Sequence, residues 1–468
     1  MFIWTIRFVT GNALTNDCDP LPPLFPLLFP LLFPLLFPLL FPLLFPLLFS
    51  SLLSSLFSSF YPPTTHHTPP TTHHTPQGYE VICYTANVGQ QGEDFEAIRL
   101  KALSCGASCA VIPDLRKDFV ENYVFMAIKA NAMYEGRYMM GTAVCRPCIS
   151  KEQVRIAAEH GAKFISHGAT GKGNDQVRFE MNAFALDPHI KAIAPWRDAE
   201  FIEKFKGRTD LLAYCEKHKI PVDAKPKANY SVDENLMHVS YESGMLEDAA
   251  CTPDESMFKM SVSPENAPDE VEKVRVEFKA GVPVKLTSFK DGVDKAKTDP
   301  LELFLYANEI GGRNAIGRCD IVENRFVGIK SRGVYETPGG TLLREAHVDL
   351  EGIALDKEVK RIQDTVLTPE FSRLCYNGFY FSPEMELIKN SINFAQKDVD
   401  GWVEMNLYKG NVIVTGRGSE KTLYSAELAS MDIEGGGDAL DYNPADAAGF
   451  INCNATRLKA YGALRKGK

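Results

Sequence analysis

The densest chemistry in the sequence is a ten-residue run, Ser166-His-Gly-Ala-Thr-Gly-Lys-Gly-Asn-Asp175. Gly168, Gly171 and Gly173 leave backbone N–H groups open on a turn, and the residues from Gln176 onward have a helical pattern. A glycine turn running into a helix N-terminus suits a phosphate or a carboxylate. It is not a Walker A loop, because the spacing is G-x-x-G-K and Gly173 stands where Ser or Thr would meet magnesium. Arg178 follows Asn174 and Asp175 at helical spacing, so the three share a face. Thr170, Asn174, Asp175 and Arg178 beside such a cradle suit a zwitterion, with Asp answering an ammonium and Asn and Arg a carboxylate. A glycine turn with an Asp cap would account for two of these residues but not for all ten.

The elements that must position this run read as α/β text. Val81–Tyr84 is a short apolar strand, and Glu93–Ser104 an amphipathic helix that stops at Gly106. Cys109–Ile112 follows as a strand, then Lys117–Ala132 as a helix with Phe119, Val120, Tyr123, Val124 and Ile128 on one face. Ser150–His160 is helical, Phe164–Ser166 a strand, Gln176–Leu186 a helix and Ile190–Ala194 a strand. Strands alternating with helices predict a doubly wound parallel sheet that binds ligands at the carboxyl ends of its strands. After Pro221 the segments become longer and mixed, with alternating strands at Val274–Phe278 and Val412–Thr415, which predicts a second, α+β domain. Ala445–Leu464 reads as a final helix that offers Leu458, Tyr461 and Leu464 to a partner. The division expected is 1–77, 78–220, 221–440 and 441–468.

The first 77 residues are a different kind of text. Phe-Pro-Leu-Leu repeats six times from Phe25 to Leu48, and PPTTHHT repeats twice from Pro62 to Thr75. A proline every fourth residue removes a helix hydrogen bond in each turn, so the apolar run is a poor membrane span despite its length. The run also begins too late and is too long for a signal peptide. The four histidines of the PPTTHHT pair lack further ligands, and no metal site is expected there. Perfect repeats of this kind are what translated simple-sequence DNA looks like. The expectation is therefore a mis-started or mis-spliced stretch, without stable packing over 24–77 and cut there first by proteases. Phe2–Val9 alone is apolar and β-prone.

Sixty acidic against 50 basic residues give a net charge of −10. That balance lacks the basic footprint of nucleic-acid binding. Eleven cysteines without framework spacing fit a reduced, intracellular chain. Cys145-Arg-Pro-Cys148 has no second pair to complete a zinc site, so structural thiols are expected.

Together with IAPWR at 193–197, FKGR at 205–208, DENLMHVSYE at 233–242 and ENRFVGIKSRGVYETPGGT at 323–341, the run SHGATGKGNDQVRFE closely resembles the argininosuccinate synthase family. The resemblance extends from Gly78 nearly to the carboxyl terminus. It implies an ATP-driven condensation of citrulline with aspartate, with AMP and pyrophosphate released, in the arginine and urea pathways. It also implies an N-type ATP pyrophosphatase domain, a synthetase domain, ATP with Mg2+, and a cytoplasmic homotetramer tied by the C-terminal helix, without nucleic-acid or membrane partners. By the same resemblance Ala86 and His167, Gly168, Ala169, Thr170, Gly171, Lys172 and Gly173 should touch ATP. Thr170, Asn174 and Asp175 should hold aspartate, and Tyr138, Asn174, Arg178, Ser231, Ser240, Glu323 and Tyr335 should surround citrulline. No acid or base and no protein-held metal is assigned.

Two departures from the family stand out. Ala143 occupies the place of a serine whose hydroxyl contacts citrulline, a loss of roughly 0.5–1.5 kcal/mol. The family's opening strand and its pyrophosphate-wrapping Ser-Gly-Gly-Leu-Asp-Thr-Ser loop occur nowhere in the sequence, and the repeat tract sits in their place. As written, the chain is expected to turn over poorly, with Phe2–Val9 a candidate for the vacant strand position. Two other readings stay open at this point. One is an inactive relative that binds or assembles; the other is a Pro-rich N-terminal scaffold or membrane-associated protein.

Overall fold

The structure, a computed structural model, describes residues 3–8, 79–218, 220, 230–292, 294–430, 443 and 445–466. The Phe-Pro-Leu-Leu and PPTTHHT repeats, with the expectations attached to them, lie outside the described residues.

Three sheets carry the fold. The first has the order β3-β2-β1-β4-β5, from β1 (Ile3–Phe8), β2 (Tyr79–Tyr84), β3 (Cys109–Val111), β4 (Phe164–His167) and β5 (Lys191–Ile193). β2 pairs with β3 and β4 with β5 in parallel, as the alternating α/β pattern predicts. The centre is different, because β1 runs antiparallel to both neighbours. The middle strand thus falls within Phe2–Val9, the segment expected as a candidate for the vacant strand position, but it runs in the reverse direction. The physical reason is the hydrogen-bond requirement of the two flanking strands, whose facing N–H and C=O groups would otherwise be unpaired inside the sheet.

α1 (Phe95–Ser104) starts where Asp94 accepts from the Ala97 N–H at 2.9 Å, an N-cap that the sequence pattern places within two residues. The helical run that follows β3 is broken by a π-helical turn at Val120–Val124 between Arg116–Phe119 and Phe125–Lys129. α2 (Gly141–Glu159) begins nine residues before the expected Ser150 and passes through Pro147. Contacts from elsewhere in the fold fix the earlier start. Asn235 Nδ2 donates to the Gly141 carbonyl at 3.2 Å, and the His238 ring lies against Gly141. α3 (Asp175–Leu186) starts immediately after the glycine run.

The second part is antiparallel. A four-stranded sheet orders β11-β12-β7-β6, from β6 (Ser231–Glu234), β7 (Val239–Glu242), β11 (Arg318–Asn324) and β12 (Lys330–Glu336). A five-stranded sheet orders β10-β9-β8-β13-β14, from β8 (Glu272–Lys279), β9 (Val282–Ser288), β10 (Lys295–Lys297), β13 (Gly401–Tyr408) and β14 (Asn411–Gly418). Alternating strands such as β8 bury Val274, Val276 and Phe278 on one face, against Leu303, Phe304, Leu342 and Leu343 of two amphipathic helices. One continuous core runs from Tyr84 and Ile128 through Met140 to Phe304, Phe371 and Met405, so both parts share it. Glu336, fully buried, is satisfied by Tyr241 Oη at 2.6 Å, by Ser261 Oγ at 2.6 Å and by backbone N–H groups of Lys259, Met260 and Ser261. Five donors explain how a carboxylate is tolerated there.

Candidate functional site

The glycine run leaves the carboxyl end of β4 and turns back on itself. Gln176 Nε2 holds the turn by donating to the Gly171 carbonyl at 2.7 Å and the Gly173 carbonyl at 3.2 Å. A β-carbon at Gly171 would lie 3.1 Å from the Trp196 carbonyl oxygen, so the IAPWR segment and the glycine turn fit together closely. Thr170, Gly171 and Lys172 are exposed, as groups that meet a ligand must be. The tip of the β11–β12 hairpin leans on the run: Arg325 Nη1 donates to the Lys172 carbonyl at 3.3 Å, and the Phe326 N–H donates to Asn174 Oδ1 at 2.9 Å. With its oxygen taken, Asn174 has its amide N–H groups left to offer a carboxylate.

Asp175, at the first position of α3, lies between two arginines. Its Oδ1 accepts from Arg178 Nη1 at 2.9 Å, and its Oδ2 from Arg146 Nη2 at 2.8 Å and Nε at 3.1 Å. Burial alone would raise the Asp175 carboxyl, but the two guanidinium groups outweigh it and hold the acid well below the usual carboxylate range. Arg178 is in turn aimed by the Tyr376 carbonyl at 2.8 Å and lies over the Tyr376 ring at 4.8 Å. Beside it Tyr138 and Tyr335 stack with centroids 3.9 Å apart. Gly333 makes this possible, since a β-carbon there would fall 2.1 Å from the Tyr335 hydroxyl. Glu323 is buried nearby, and burial raises its carboxyl against the opposing pull of the Tyr376 hydroxyl, Arg178 and the Tyr335 hydroxyl. A buried carboxylate next to an aromatic wall and a guanidinium is a site shaped for a cationic group of a ligand.

Residues 230–461 match the arginosuccinate synthase C-terminal domain, and residues 72–221 the arginosuccinate synthase N-terminal HUP domain. Argininosuccinate synthase of Thermotoga sp. strain RQ2 is 54% identical over 391 residues, 84% of this chain and 93% of the relative. The Danio rerio protein of the same name is 51% identical over 389 residues, covering 83% and 92%, and the Mus musculus protein 49% over 389 residues, covering 83% and 92%. The chain belongs to the argininosuccinate synthase family.

Within the family's expected residues, the structure brings Tyr138, Asn174, Asp175, Arg178, Glu323 and Tyr335 into one cluster. Ser240 joins through its hydroxyl, which donates to the Asp233 carbonyl at 3.3 Å. Ser231 stands exposed on the edge strand β6 opposite Glu242 in register, and makes no hydrogen bond to the cluster. Ala86 is buried at the end of β2, with its carbonyl taken by Gln90 Nε2 at 2.8 Å. Gly168, Ala169 and Gly173 follow the turn. The His167 side chain is 1% exposed and bonded through Nε2 to Glu180 at 2.8 Å, while Glu180 also receives Arg197 Nη2 at 2.5 Å. It therefore ties β4, α3 and the IAPWR segment together, leaving a buried Nδ1 without a partner. Ala143, where the family has serine, is buried in the core.

Several residues in the cluster were not singled out from the sequence. Arg146 is one, because it falls in a stretch read as preceding its helix. Asp233 and His238 lie in a quoted family segment but carry no role there. His238 is fully buried, shares a hydrogen bond with Thr142 Oγ1 at 2.9 Å, and is lowered by burial to about 4. Arg325 likewise lies in a quoted family segment without a role, and Tyr376 had no local signal, since its role depends on pairing with residues far away in the chain.

Proposed function

We propose that the chain is an ATP-dependent ligase that joins citrulline to aspartate, giving argininosuccinate, AMP and pyrophosphate through a citrulline adenylate. The observation that carries this is the Arg146–Asp175–Arg178 constellation set against the Tyr138–Tyr335 wall and Glu323. A ureido carbon is a poor electrophile because its oxygen would leave as hydroxide. Adenylating that oxygen makes AMP the leaving group, and the protein then needs to hold charged ligands close together. Arg178 and the Asn174 amide answer carboxylates, and Glu323 with the tyrosine wall receives the citrulline end. Asp175 answers the ammonium of aspartate. Held strongly ionised by two guanidiniums, it orients that amine rather than taking its proton. Thr170, the glycine turn and Lys172 face the ATP phosphates, with ATP arriving as its magnesium complex.

The weak point is the pyrophosphate end of ATP. The register of β1 places Ile3 opposite Tyr84 and His167, at the ligand end of the sheet, and Phe8 opposite Tyr79 at the far end. A loop following Phe8 therefore starts on the wrong edge to cradle a phosphate. Each lost preorganised donor costs roughly 10²–10³ in rate. Assembly into a tetramer is supported by α4 (Asp446–Lys466), whose Phe450, Ile451, Leu458, Tyr461 and Leu464 are all exposed. A cytoplasmic setting fits the unpaired state of the described cysteines. Among the described residues no helix is long and apolar enough to cross a membrane.

Citrulline-dependent pyrophosphate release tests the proposal, on this chain and on a chimera given a family strand, glycine loop and helix in place of residues 1–77. Activity in the chimera with little in the chain is expected. An inactive chimera would refute the ligase assignment, and equal activity in both would show that the loop is dispensable.

A further inference from the structure

We propose that Arg146 is the positioning residue for Asp175, and that Asp233 holds Arg146 in that post. The inference rests on the proposed aspartate site. Arg146 is itself no ligand-facing group: its side chain is 5% exposed, with the Phe179 ring 5.6 Å from its guanidinium carbon. Its guanidinium bonds two carboxylates. Nε and Nη2 reach Asp175 Oδ2, and Nη2 also reaches Asp233. These three side chains come from α2, α3 and β6, so the contact closes a junction among three elements rather than decorating one.

Geometry assigns the direction of the effect. Asp175 has two anchors, one per oxygen. Arg178 is shared with the Tyr376 carbonyl and, under the proposed function, with a substrate carboxylate. When substrate draws on Arg178, the Arg146 contact is the one that keeps the carboxylate in place. A buried guanidinium is costly unless its donors are satisfied, and Asp233 takes a second hydrogen bond from the same Nη2 that reaches Asp175. The titratable and charged groups around the trio are Arg178, Glu242, His238, Tyr138 and Cys145. Of these only Arg178 also bonds Asp175, so removing Arg146 leaves one cation instead of two to hold the acid ionised. Aspartate binding should then fall away on acidification at a higher pH than in the unaltered chain.

The test is calorimetry on the full chain, titrating aspartate in the presence of citrulline and citrulline by itself, from pH 5 to pH 8. R146Q should weaken aspartate at least tenfold while changing citrulline less than threefold, with R146K recovering part of the loss. The companion variant is D233N, whose site is 37% exposed and therefore tolerant of the change. It should weaken aspartate to an intermediate degree, although Asp233 is two links removed from the ligand. Unchanged aspartate affinity in R146Q, or equal losses for both amino acids, overturns the positioning role. D233N indistinguishable from the parent removes Asp233 from it. A parent chain that binds citrulline but no aspartate, or neither, overturns the proposed function instead and the inference with it.

Discussion

Gly141→Ala is a one-methyl change whose consequence can be worked out from the structure. A β-carbon at Gly141 would stand 2.3 Å from His238 Cγ, 2.5 Å from Cδ2 and 2.8 Å from Cβ. Optimal carbon contacts are about 3.5–4.0 Å, so the ring or the helix must move by more than an ångström. The ring cannot swing into solvent, because His238 is fully buried, bonded to Thr142, and flanked by Tyr138 and Tyr335 with centroids 6.5 and 6.2 Å away. Nor is the backbone free to yield, since Met140 already sits at φ 59 and Asn235 holds the Gly141 carbonyl. Overpacking in a core costs typically 1–3 kcal/mol, and three contacts with a pinned ring place this case near the upper end, about 3 kcal/mol. His238→Ala should cost about 2 kcal/mol by itself, through the cavity and the lost bond to Thr142. With the ring gone, the added methyl has room, so the double variant should be less destabilised than the sum by about 2 kcal/mol. Urea denaturation of the four proteins measures this coupling. Additive losses would refute the steric account of the glycine and with it the explanation for the early start of α2.

Two further outcomes follow from the same structure. His238, normally charging near 6.5, is held neutral in the fold down to about 4; the unfolded chain therefore takes up a proton that the native state refuses. Stability should be fully present above 6.5 and decline by roughly 3 kcal/mol as the pH falls to 4, a slope that H238Q should flatten in pH-dependent denaturation. Thr5 pairs with Ile82 on one side and Ile165 on the other, so Thr5→Pro removes a ladder donor from the central strand and should cost about 1–3 kcal/mol by the same assay. Unaltered stability would place β1 outside the sheet.

Some of the site was legible from residue types alone. The glycine run announced a ligand turn, and the helical spacing of Asn174, Asp175 and Arg178 put those three on one face. The family motifs added Tyr138, Glu323 and Tyr335, which the fold does gather beside Arg178. Local patterns did less well where a residue's partner is distant. The ring of His167, at the head of the glycine run, is buried against Glu180, a partner 13 residues on that local patterns do not indicate. The helix expected to start at Ser150 begins instead at Gly141 and runs through Pro147, anchored by the turn at 235–238.

The sequence by itself determined the α/β alternation up to β5, the α+β text beyond it and the turn from strand to helix at Ser166–Asp175, because periodicity and turn chemistry act between near neighbours. Only the tertiary structure decided that Arg146 and Asp233 flank Asp175, that Phe326 takes the oxygen of Asn174, and that Ile3–Phe8 fills the first sheet in the reverse direction. Those outcomes depend on which buried donors, acceptors and charges lack a partner once distant segments have packed. A carboxylate or a strand edge meets that requirement with whatever group the fold brings within reach, and no spacing along the chain records which one that is.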